Sequence, residues 1–120
     1  MATRSMIGKV SSNGSIRLTY CHWDGNPDHQ LSRLAHYDTE SKVDALLDLG
    51  DLSSLESTLE TCVAYERDRH EEPHPAIWHT NMKSVTHAAR LHNAAFIYIF
   101  QEGSWKHASV GRSGTSVFGI

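Results

Sequence analysis

Ser12-Asn13-Gly14-Ser15 lies between two runs of alternating polarity, and it constrains the fold more than any other stretch of the chain. Asn-Gly supplies the positive φ that a tight hairpin turn needs. Before the turn, Met6, Gly8 and Val10 alternate with Ile7 and Lys9; after it, Ile16, Leu18, Tyr20 and His22 alternate with Arg17, Thr19 and Cys21. A β-hairpin over residues 4–22 is expected, and strands joined this way pair antiparallel.

Gly25-Asn26-Pro27 ends the second strand. Pro27 suits the first turn of a helix, where its missing N–H costs nothing. Leu31 and Leu34 then predict a short helix over 28–36. Asp38 or Thr39 can cap a second helix. Val43, Leu46 and Leu47 have the spacing of one helix face, and Gly50 suits its C-terminal end. A further helical turn is expected over 51–58, and Cys62 to Arg67 alternates as a strand. The polar segment 68–80, with Pro73 and Pro75, reads as a long loop of the kind that tends to carry function in small domains. Ser84 reads as the cap of a helix carrying Val85, Ala88, Ala89, Leu91 and His92. In Ala95 to Gln101, Phe96, Tyr98 and Phe100 face one way and Ile97 and Ile99 the other, so both faces are covered and the strand is central. Glu102-Gly103-Ser104 turns into a last strand over 105–110. The order ββ-αα-β-α-ββ predicts one α+β domain over 1–110, an antiparallel sheet of about five strands with helices packed on one face. Residues 111–120, rich in glycine and serine, read as a flexible tail.

A length of 120 residues and an apolar content of 39% suit one globular domain. The net charge of −3, with no basic run, excludes the phosphate-driven binding of nucleic acid. The longest strongly apolar run, Ala94 to Phe100, is too short to span a bilayer, and residues 1–6 lack the apolar core of a signal peptide. A cytoplasmic protein with no membrane partner is expected, so Cys21 and Cys62 read as free thiols. No phosphate-binding loop, dinucleotide fingerprint, nucleophile elbow or zinc-protease motif is present, and no cofactor is expected.

The chemistry concentrates at Tyr20-Cys21-His22-Trp23-Asp24-Gly25-Asn26-Pro27, where a strand end turns sharply. Side chains held on a turn by a rigid sheet are well placed for binding or catalysis. His22 and Asp24 are two apart and can share a metal or act as a base and its orienting carboxylate. The alternative is structural: Asp24 caps the helix at Pro27, and His22 hydrogen-bonds within the core. Cys21 points to the opposite face from His22, which makes a poor nucleophile pair and favours a buried inert thiol. Arg67 and Arg69 suit bidentate pairing with a carboxylate or phosphate, or a salt-bridged strand end with Asp24 as partner. A sharper arrangement places Asp68 and Arg69 beside His22 and Asp24. The chain has nine histidines, but their spacings match no zinc motif; His22, Asp24 and His70 are the metal-ligand set that corner and loop offer. Trp23, Trp78 and Trp105 read as core or interface anchors.

Five segments together resemble an uncharacterised family of small phage and prophage proteins. They are Thr3-Arg4-Ser5-Met6-Ile7, the Tyr20 to Pro27 corner, Leu49 to Leu55, Glu66 to Glu71, and Phe96 to Trp105. The chain departs from that pattern at Asn26, where an aromatic is usual, at His70, where glycine is usual, and in the segment after His107. The family has no assigned activity, so the resemblance implies a phage or mobile-element origin rather than a mechanism. Small size, mild acidity and the lack of a catalytic motif then point to a non-enzymatic protein that binds a host protein as a regulator or inhibitor. Its binding residues would be Cys21, His22, Trp23, Asp24, Arg67 and Arg69. The alternative is a metal-assisted hydrolase of a phosphate-containing or nucleotide substrate, with His22, Asp24, Asp68 and Arg69 as its site.

Overall fold

The computed structural model describes residues 3–72 and 74–110, and the backbone of 116–119. The expected hairpin is present: β1 (Ser5–Val10) pairs antiparallel with β2 (Ile16–Cys21). Gly14 alone in its turn takes a positive φ, 87°. Chain order continues with α1 (Pro27–Leu34), α2 (Glu40–Leu47), β3 (Leu52–Ser54), β4 (Val63–Ala64), α3 (Tyr65–Arg69), β5 (Ile77–His79) and α4 (Met82–Leu91). A second hairpin, β6 (Phe96–Gln101) with β7 (Ser104–Val110), follows, and β8 (Ser116–Gly119) pairs antiparallel with β7. Residues 111–115 and 120 of the expected tail lie outside the described residues.

The architecture is α+β, but the sheet is larger than expected and mixed. Its order is β4-β3-β2-β1-β6-β7-β8, with β5 also paired to β2. The two hairpins meet through a parallel contact of β1 with β6, from Ser5↔Phe96 to Lys9↔Phe100. Hairpin turns specify only local pairing and leave this long-range join open. The second parallel contact, β2 with β3, follows from the α1–α2 crossover, because parallel neighbours need a helical connection. The expected helical turn over 51–58 is instead β3. The expected strand over 62–67 is cut to β4 and continues as α3. The expected loop over 68–80 contains β5, antiparallel to β2 from Ile16↔His79 to Leu18↔Ile77.

Helices cover both faces, not one. Ile7, Tyr98 and Phe100 pack with Leu34, Val43, Leu46 and Leu47 beneath α1 and α2. Met6, Ile16, Leu18, Ile97 and Ile99 pack with Val85 and Ala89 beneath α4. Alternation sends successive residues of β6 into these two cores, which is why that strand is apolar throughout and central. Each fully buried leucine contributes about 1.5–3 kcal/mol of burial free energy. Ion pairs tie α2 across its face of the sheet: Lys9 Nζ to Asp44 at 3.0 Å and Arg17 to Asp48 at 2.8 Å. The Thr39 hydroxyl accepts from the Lys42 N–H at the start of α2. At α4 the cap is Asn81, whose side chain accepts from the Ser84 N–H; Ser84 lies one turn inside the helix.

Candidate functional site

The Tyr20 to Pro27 corner is fixed from below. Gly25 donates to the Thr3 carbonyl at 2.8 Å, and its own carbonyl accepts from the buried Tyr98 hydroxyl. A Cβ at Gly25 would come within 2.8 Å of both Ser5 Cβ and the Thr3 carbonyl oxygen, so only glycine permits this approach. The His22 and Trp23 N–H groups donate to the Leu52 and Ser53 carbonyls, extending the contact of β2 with β3. Cys21 is fully buried, and burial pushes its thiol up to about 12 against hydrogen bonds from Gln30 and the backbone. It is inert as expected of a core cysteine. Asp24 is exposed at φ 56° and makes no described hydrogen bond or ion pair; the residue preceding α1 is Asn26, without a side-chain cap.

Of the four residues grouped as a hydrolase site, Asp24 stands exposed and the other three are engaged separately. His22 Nδ1 lies 2.7 Å from the Tyr20 hydroxyl, and its ring meets Trp23 edge-on at 4.7 Å. Asp68 accepts from the Ala64 N–H at 2.8 Å and is gripped by Arg67 at 2.9 and 3.0 Å. These bonds hold its carboxyl below the ordinary carboxylate value, Arg67 contributing most. Arg67 also donates to the Leu59 and Cys62 carbonyls, so the pair staples residues 59–68. Arg69 lies over the Tyr65 ring and donates to Ser53 Oγ at 3.3 Å. His70 ends α3 at φ 54°, a left-handed position that favours glycine. Among the described residues, no group of three or more His, Cys, Asp or Glu is arranged to hold a metal ion.

Tyr20 leads from this corner to a site that the sequence reading missed. Beyond His22, its ring stacks at 5.0 Å on His92, the residue that follows α4, and both line a cleft of about 420 Å³. Met6 and Leu18 form the floor, Ala88 and Leu91 one wall, and Pro75 and Ile77 the other. Gly50 makes the cleft possible: at φ 74°, it lets the His74 carbonyl approach to 2.7 Å of where a Cβ would stand. The next residue, Asp51, is pinned on both sides, its N–H donating to His74 and its carbonyl accepting from Tyr65.

The Asp51 carboxylate sits in the gap that β3 and β5 leave along the edge of β2. Its Oδ1 accepts from the Tyr20 N–H and the Thr19 hydroxyl, each at 3.3 Å. It makes no ion pair among the described residues, and burial is the main cause raising its carboxyl above the ordinary value. At the other end of the cleft, His79 Nδ1 and Ser84 Oγ are 2.7 Å apart, and burial lowers the His79 pKa. A more open groove of about 460 Å³ is lined by Val10, Ile16, Met82 and Ile99 with Gln101 and Lys106, whose side chains are 3.5 Å apart.

The mouth of the cleft is apolar and open. Ile77 is 61% exposed and Leu91 71%, while Trp78, 58% exposed, alternates to the opposite side of β5 from Ile77. Trp23, at the far end of the Tyr20–His22 chain of rings, is 44% exposed. Trp105, by contrast, is a core anchor whose Nε1 donates to the Tyr37 carbonyl at 2.9 Å. Among the described residues, no helix is long and apolar enough to cross a membrane. No family model, curated protein or solved structure matches the chain.

Proposed function

We propose that the chain is a non-enzymatic binding protein of phage or mobile-element type, which docks on a host protein in the host cytoplasm and regulates or inhibits it. The observation that carries the reading is the exposure of Ile77 and Leu91 at the mouth of one cleft. Large apolar side chains gathered on one surface mark interaction sites. The docking face therefore lies at β5 and α4, with Trp23 at its margin, rather than over the whole corner. Of the six binding residues expected from sequence, Cys21 is buried and Arg67 is committed to its own loop.

The hydrolase alternative lacks comparable support. Asp68 is occupied by Arg67 and Ala64, and Arg69 contacts Tyr65 and Ser53.

The test compares capture from bacterial lysate by the wild-type chain and by an Ile77→Ser/Leu91→Ser variant with an unchanged melting temperature. The reading expects a protein retained by the wild type and lost from the variant. Equal retention by both would overturn it.

A further inference from the structure

We infer that the partner inserts a lysine side chain into the cleft, with its ammonium group on Asp51 and its aliphatic stem along Leu18 and Ala88. This deepens the docking reading and rests on it. The charge argument comes first. Asp51 carries a carboxylate in a largely apolar cleft with no ion-pair partner among the described residues. A charge kept in such a place is costly unless something neutralises it.

The hydrogen bonds then select the kind of cation. Both described bonds to the carboxylate, from Tyr20 and Thr19, fall on Oδ1. Oδ2 is left as the acceptor without a described partner. An arginine fork needs two free oxygens for its bidentate grip, whereas an ammonium is a compact donor satisfied by one. The surroundings suit the rest of a lysine. Its four-carbon stem can lie on the apolar floor, as such stems do on apolar surfaces. The Tyr20 ring, stacked on His92, offers an aromatic face beside the carboxylate. Around this centre, Ile77 and Leu91 are placed to shut out water once a protein surface closes over them. That is the arrangement of an anchored charge within an apolar ring.

His74 and His92 are the basic groups that act on Asp51, and Tyr20 also interacts with it.

The probe is Nα-acetyl-lysine methylamide, titrated into the ¹⁵N-labelled protein and followed by amide chemical shifts. The expected result is saturable shifts at Tyr20, Asp51 and Ala88. Acetylating the probe at Nε, or changing Asp51→Asn, should weaken binding by about tenfold, the worth of one charge-assisted hydrogen bond. The arginine analogue should bind less well than the lysine probe. Equal binding of the neutral probe, indifference to Asp51→Asn, no shift at these residues, or shifts centred elsewhere would each overturn the inference. The two readings fail separately. Partner capture that survives Asp51→Asn but not Ile77→Ser/Leu91→Ser removes the lysine and leaves the docking face. Probe binding at Asp51 with capture unchanged in the Ile77→Ser/Leu91→Ser variant removes the docking face and leaves an ammonium site.

Discussion

Asp51 separates a carboxylate kept for a partner from one used to hold the fold together. Asparagine at this position keeps an oxygen for the Tyr20 N–H and the Thr19 hydroxyl while deleting the charge; leucine deletes both. The two bonds are long, so each stranded donor costs about 1 kcal/mol, the lower end for such losses. For a chain of this length the unfolding entropy makes 1 kcal/mol worth about 4 °C of melting temperature. Asp51→Leu should therefore melt about 8 °C below the wild type, while Asp51→Asn should match or exceed it at neutral pH. The pH dependence has a definite sign. Burial holds the folded-state pKa above the ordinary 3.8, so the folded protein keeps this proton longer than the unfolded chain. The associated stability is complete below 3.8 and is lost as pH rises through the folded-state value. Circular-dichroism melts between pH 4 and 8 should show the wild type losing ground to Asp51→Asn as pH rises. If Asp51→Asn is destabilised as much as Asp51→Leu, the charge already serves a cation within the fold, and the argument for an external one fails.

Three further outcomes follow from the geometry. Tyr98→Phe strands the Gly25 carbonyl beneath the corner and should lower stability by about 1–3 kcal/mol in urea titrations; an unchanged midpoint would mean that this bond does not anchor the corner. His70→Gly relieves a left-handed residue at the end of α3 and should raise stability by about 1 kcal/mol; a loss would assign the His70 side chain a contact that outweighs its backbone strain. The Cys21 thiol should resist a thiol reagent at pH 8 until the protein unfolds, and fast labelling of the native state would contradict its burial.

The local elements were legible where a residue type left one choice. Asn13-Gly14 announced the first hairpin, Pro27 the start of α1, and the apolar faces of Phe96 to Gln101 a central strand. The sheet's parallel joins were not legible, because β1 and β6 are brought together by tertiary packing rather than by a turn. β3 and β5 are three residues each, too short to alternate convincingly, and their loss hid the α1–α2 crossover and the second covered face. The corner drew attention for sound reasons, since it holds four chemically capable side chains. Its backbone is tied down through Gly25, Tyr98 and the backbone of β3. The cleft was hidden because its members come from β2, Asp51, β5 and α4, which no spacing rule connects. Asp51 read as the opening of a helical turn, and the histidines were judged against metal-ligand spacings that they do not have. The available clue was Gly50 followed by an acid, at a helix end that needs a positive φ.

The central claim places recognition at β5 and α4. Hydrogen exchange on the chain with and without its captured partner tests it most directly. The account predicts slowed exchange across 74–79 and 84–92, with little change at 59–68. Protection confined to 22–24 and 66–71, with β5 and α4 exchanging as in the free protein, would contradict it.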